Sequence, residues 1–174
     1  MKFDLNEAIE ILERTPPALN SLLENLSSCW TQQNEGPDTW SPFDVVGHLI
    51  HGEKTDWIVR VDLILGSNPN KNFEPFDRFA QLTDSKEKSL NELLTEFSIL
   101  RKANLEKLKS HNINAEDLLK EGIHPEFGKV TLKHLLATWV SHDLNHIYQI
   151  VRVMVKLYKG ETGPWPKYIR LLNE

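Results

Sequence analysis

Cysteine is nearly missing, with one, Cys29, in 174 residues. No intramolecular disulfide can form, and a cysteine-rich zinc module or a secreted disulfide scaffold is excluded. The lone thiol is expected to be a small buried hydrophobe. Basic charge is not in excess either, since 20 Lys and Arg against 25 Asp and Glu leave −5 with the histidines neutral. No basic stripe is interleaved with aromatics, so nucleic acid is not an expected partner. No apolar run approaches the ~20 residues of a membrane helix, and no charged segment followed by an apolar stretch opens the chain. The expectation is a cytoplasmic protein with no membrane partner. What is present is ordinary for a soluble globular chain: 40% hydrophobic and 26% charged residues. The length suits a single domain over residues 1–174 with a sizeable core.

Periodicity predicts helices. Leu5, Ala8, Ile9 and Leu12 recur at spacings of three and four, and Pro16-Pro17 is expected to break the segment before a second piece, Ala18 to Leu26. Ser41-Pro42, with Asp44 in the first turn, reads as a helix start. Val45, Leu49, Ile58, Val61 and Leu65 then predict one long helix to Gly66. Residues 71–84 carry Phe73, Phe76 and Phe79 without a period and read as an ordered loop packed on the bundle. Residues 85–110 resume helical spacing, with Lys86, Lys88, Arg101, Lys102 and Lys107 mostly on a solvated face. Residues 112–129 are loop-like, and Thr131 opens the last long helix, to about Lys159. No alternating strand pattern is visible. The sum is an all-α antiparallel bundle of about four main helices.

The seven histidines carry the chemistry. His142 and His146 form an i, i+4 pair, about 40° apart around a helix and one turn along it, so their imidazoles can converge on one ion. Thr138, Leu135 and Gln149 lie on the same face, which is otherwise inward. A stable site needs a third ligand, and His48 is the best candidate, with Asp44, His51, Gly52, Thr55 and Asp62 along its strip. His51 is open between substitute ligand, supporting partner and rim residue. His124 could reach a site mouth, although local packing is the plainer role, and His111 and His134 read as surface residues. Asp143, about 100° from His142, is not aimed at the same point.

These segments are also familiar as a set: Thr39-Trp40-Ser41-Pro42-Phe43-Asp44-Val45-Val46-Gly47-His48-Leu49, then Phe76-Asp77-Arg78, His124-Pro125-Glu126-Phe127-Gly128, Trp139-Val140-Ser141-His142-Asp143-Leu144-Asn145-His146 and Gly163-Pro164-Trp165. Together they resemble the DinB-like family of metal-binding four-helix proteins, a group similar to the YfiT metal-hydrolase-like proteins and the bacillithiol or mycothiol transferases. The resemblance implies an up-down-down-up four-helix bundle and a divalent metal held by His48, His142 and His146. It also implies a homodimer. Three neutral imidazoles leave the ion its full charge and an open position, the arrangement of a catalytic site. Imidazole suits several metals; zinc comes first, then nickel, with iron also compatible. The leading expectation is a metal-dependent enzyme acting on a small-molecule substrate, either a thiol S-transferase using a low-molecular-weight thiol or a hydrolase. The alternative is a non-catalytic metal-binding or stress-response bundle. No general base stands out, although Asp44, His51 and Gln149 lie on suitable faces.

Overall fold

The computed structural model describes residues 1–173. The first helix, α1 (Leu5–Leu23), starts where the Asp4 carboxylate accepts from the amides of Asn6 and Glu7. It runs unbroken through Pro16 and Pro17, contrary to the expected break. An interior proline costs about 3 kcal/mol, but the buried stripe Ala8, Ile9, Leu12, Leu19 and Leu23 continues across it. Pro16 has no amide hydrogen to offer the carbonyl of Leu12, four residues back. Arg101 Nη1 donates to that oxygen instead, at 2.9 Å. A short helix, α2 (Ser28–Thr31), follows. It buries Thr31, and Cys29, two residues earlier and therefore about 200° around, is exposed and not the buried hydrophobe expected.

The expected long second helix is two, α3 (Pro42–Thr55) and α4 (Trp57–Leu65), hinged at Asp56 with φ −117° and ψ −76°. A Ser41–Asp44 capping box with Pro42 in the first turn starts α3. At the hinge the Trp57 indole folds back onto Gly52, where a Cβ would lie 3.0 Å from Nε1. Within residues 71–84, Phe73 is buried, Phe76 half-buried and Phe79 exposed, and a single turn, α5 (Gln81–Asp84), packs on α3. The next helix, α6 (Leu90–Ser110), begins five residues later than the periodicity suggests, because Ser89 and Glu92 form a second capping box. A hairpin of β1 (Glu121–His124) and β2 (Gly128–Thr131) replaces part of the expected loop, pairing Glu121 with Thr131 and His124 with Gly128. Four-residue strands are too short to show alternation. The amide of Phe73 donates to Ile123 O at 2.9 Å, and the Phe73 ring fills the space a Cβ at Gly122 would need. The last helix, α7 (Leu132–Leu157), is capped by Thr131 and His134, and short 3₁₀ turns follow, burying Leu172. No helix among the described residues is long and apolar enough to cross a membrane.

Helices α1, α3–α4, α6 and α7 form a four-helix-bundle core in which α1 and α3 each pack on α6 and α7. The apolar interior falls into two halves, one around Leu12, Trp57, Leu105 and Leu136, the other around Leu23, Leu49, Phe97 and Ile150. Between those halves, on three of the helices, lies a charged residue: Glu53, Arg101 and Asp143. Arg101, expected on a solvated face, is 1% exposed. It donates to Glu53 Oε1 from Nε and Nη2, at 3.1 and 2.8 Å, and to both oxygens of Asp143. Asn104 Nδ2 and Trp139 Nε1 also donate to the Glu53 carboxylate, at 2.9 and 3.2 Å. Burial opposes the charge on Arg101, but the two carboxylates outweigh it and hold the guanidinium more firmly protonated than usual.

Candidate metal centre

His48 lies in the second turn of α3, and His142 and His146 are one turn apart in the middle of α7. The antiparallel contact of the two helices brings the three rings together. His142 Nε2 is 3.1 Å from His48 Nε2 and 3.1 Å from His146 Nε2. A tetrahedral ion bound at the usual 2.0–2.1 Å to imidazole sets ligand nitrogens about 3.3 Å apart, so the cluster fits a divalent metal with only a small relaxation. These are one set of three ligand atoms close enough to share an ion. On the far side of its ring, His146 Nδ1 lies 2.8 Å from Gln149 Oε1. With the amide oxygen as acceptor, the proton resides on Nδ1 and the Nε2 lone pair is free. Nδ1 of His48 and of His142 are buried without a hydrogen-bond partner.

An aromatic collar encloses the rings. Trp40 packs 4.7 Å from His48 and stacks on His146, Phe76 meets His48 edge-on at 5.4 Å, and Trp57 meets His142 at 5.0 Å. Burial drives the His48 pKa down to about 3, with the charges of His146, His51 and Arg78 adding to it. His142 is pushed down to about 2, again by burial first and then by its neighbours. His146 is lowered by burial, against the opposing pull of Gln149 and Asp143. All three are neutral near pH 7, the form that binds metal. Above them opens a cavity of about 800 Å³, walled by aromatics and by α7 residues including Thr138, Asn145 and Gln149.

A model of the DinB superfamily matches residues 11–150. The chain belongs to the DinB superfamily. Among solved structures it is similar to YfiT from Bacillus subtilis, described as a probable metal-dependent hydrolase with an unusual four-helix bundle topology. The TM-score is 0.74 at 21% identity, covering 92% of this chain and 89% of that one. No curated protein matches it.

In this DinB-superfamily chain the other residues singled out by sequence divide clearly. Asp44 is committed to the α3 cap, its Oδ2 accepting from Ser41 N at 2.9 Å. Asp143 points away from the cluster to Arg101, and Asp62 pairs with Lys107 and His111. His51 stays outside the triad, its ring 5.0 Å from Phe76 and its Nδ1 3.9 Å from Asp84. His124 serves its own turn, accepting from the amides of Glu126 and Phe127, while lining the cavity. His111 is partly buried against Asp62, whereas His134 is exposed. The residues that sequence reasoning missed are Trp40, Trp57 and the lining arginines Arg60, Arg78 and Arg152. Trp40 and Arg78 did stand in motifs singled out above, but nothing in their spacing placed them beside histidine.

Proposed function

We propose that this protein is a metal-dependent enzyme in which His48, His142 and His146 hold one divalent cation, zinc in first place, and that it transfers a small thiol to an electrophilic substrate bound in the cavity. The observation that carries this reading is the convergence of three neutral Nε2 atoms at the floor of a large cavity. A bound cation with an open position would favour thiolate over thiol, as it favours hydroxide over water. The chain's own groups then do the rest. The collar of Trp40, Phe76 and Trp57 keeps water from the ring faces, and Gln149 keeps the proton on His146 Nδ1.

Thiol transfer is favoured over hydrolysis by the state of the carboxylates. Asp44 is in its cap, Asp56 lies 2.6 Å from Arg60, and Glu53 and Asp143 face Arg101. Water activation gains from a positioned general base, which these four paired carboxylates do not supply, leaving Asp38 of the cavity lining, unpaired among the described residues, to serve the hydrolytic reading, whereas a thiolate already carries its nucleophilic charge. Hydrolysis is the second reading, supported by the shared fold with YfiT. The bundle order that goes with this reading is up-down-down-up. It is supported by the antiparallel pairs Glu13–Lys109 and Asn20–Ser98 between α1 and α6, and by the parallel run from Lys54–Glu96 to Asp62–Lys107 between α3–α4 and α6.

The test is to load the protein with zinc or nickel and incubate it with low-molecular-weight thiols plus a chromogenic electrophile, and separately with an ester and amide panel. Metal-dependent conjugation supports the leading reading, and turnover of esters or amides alone supports the second. No metal-dependent turnover in either assay would leave a metal-binding protein without catalysis.

A further inference from the structure

The segment Phe76-Asp77-Arg78 joins the aromatic collar over His48 to an exposed turn. Its geometry is specific. Phe76 is seated on two imidazoles, His48 at 5.4 Å and His51 at 5.0 Å. Asp77 Oδ1 accepts from the amide of Phe79 at 2.9 Å, which fixes the turn that follows. Arg78 sits between these two devices and lines the cavity together with Phe76 and Phe79. Two residues span at most about 7 Å, so the backbone of Arg78 is tied close to an aromatic ring that itself touches the histidine cluster.

The cavity has three guanidinium groups in its lining, and they are not equivalent. Arg60 is paired with Asp56 at 2.6 Å, and Arg152 grips both oxygens of Glu35, at 2.7 and 2.9 Å. Arg78 makes no ion pair or hydrogen bond among the described residues, although it is held in a fixed turn. Its fork of donors matches the two oxygens of a carboxylate or phosphate. Asp38, also in the lining and also without an ion-pair partner, is the carboxylate that works against an anion there.

We propose that Arg78 is the oxyanion-binding group of the cavity, so that the ligand is a small acid, a carboxylate or phosphate ester, with an apolar middle lying along Phe76 and its reactive end at the histidines. This rests on the reading of the cluster as a metal-dependent thiol site only for the identity of the reactive end. The anion contact itself is independent of it.

The test uses cobalt-loaded protein titrated with 6-mercaptohexanoate, with 6-mercaptohexanol, and with the corresponding mercaptoalkyl phosphate. Two signals are followed: the heat of binding, which reports the anion contact, and the thiolate-to-cobalt absorption band, which reports the metal site. The acids are expected to bind at least about tenfold more tightly than the alcohol, a difference of about 1.4 kcal/mol, with the preference falling as salt rises. Arg78→Gln should abolish that preference while leaving the alcohol's affinity unchanged, and Arg78→Lys should restore part of it. Asp38→Asn should strengthen acid binding. The tighter of the two acids identifies the oxyanion. Equal heats for acid and alcohol would overturn the proposal, as would a preference that survives Arg78→Gln or is lost in Arg152→Gln instead. A missing absorption band with an intact Arg78-dependent acid preference would overturn the thiol reading and leave the anion site standing. Arg78 is exposed, so thermal melts of its two variants should match the parent and separate binding from folding.

Discussion

Two polar groups of residues lie within the same bundle, and they are built on opposite principles. The Glu53–Arg101–Asp143 layer is closed: the guanidinium is matched by two carboxylates, and Asn104, Trp139 and the Leu12 carbonyl occupy further positions. The histidine cluster a turn away is open. Its three Nε2 atoms face one another, two of its Nδ1 atoms have no partner, and its roof is a cavity. Satisfaction is what separates them. A buried polar group that has found every partner contributes to specifying the fold, whereas one left deliberately short is available for a ligand.

The comparison can be broken first at the closed end. Arg101→Met leaves two carboxylates buried without their cation and should cost about 3–5 kcal/mol, measured by urea denaturation of the metal-free protein. A loss below about 1 kcal/mol would show that the layer is not the structural member of the pair. At the open end the order reverses. His142→Ala should lower metal affinity more than about 100-fold, beyond what loss of an outer partner does, while metal-free stability falls far less than in Arg101→Met. Elemental analysis that still finds one metal per chain would refute the assignment. Gln149→Ala should weaken metal binding about 10- to 100-fold with no more than about 0.5 kcal/mol change in folding; unchanged affinity would remove Gln149 from the support of His146.

The last difference between the two ends is in pH. Unfolded imidazoles take up protons below about 6.5, whereas folded His48 waits until about 3 and His142 until about 2. In that window the unfolded chain binds more protons, so these residues make stability fall as pH falls, by at most about 1.4 kcal/mol per unit for each. Asp56, lifted by burial to about 6, acts in the opposite sense between about 4 and 6. Comparing metal-free parent with His48→Gln from pH 7 to 4 isolates the histidine contribution. Parallel profiles would contradict the depressed pKa.

The open cluster was far more legible in the sequence than the closed layer. An i, i+4 pair such as His142 and His146 carries its geometry in its spacing, and His48 stood out because its helix presents a polar strip with histidine to match the one on the pair's helix. Arg101 carried no such signal. It sits among Lys102, Lys107 and Lys109 on a helix whose other cations are exposed, and only the arrival of Glu53 and Asp143 from two other helices reveals its role. The same logic explains the smaller errors. The continuity of α1 through Pro16 depends on a donor eighty-five residues away, and the hairpin depends on a partner stretch at Lys71–Phe73. Local signals such as the Ser41 and Thr131 caps were readable because both partners lie within one turn.

The Arg101 side chain also sets how the molecule comes apart. Its partners belong to α1, α3 and α7, while it is itself part of α6. No three of these helices can bury it with every bond made, so a partly assembled bundle strands a charge in its own interior. Amides in the central turns of all four helices should therefore exchange with solvent through one shared opening and at one common rate-limiting free energy, while the hairpin and the carboxyl-terminal turns exchange separately and sooner.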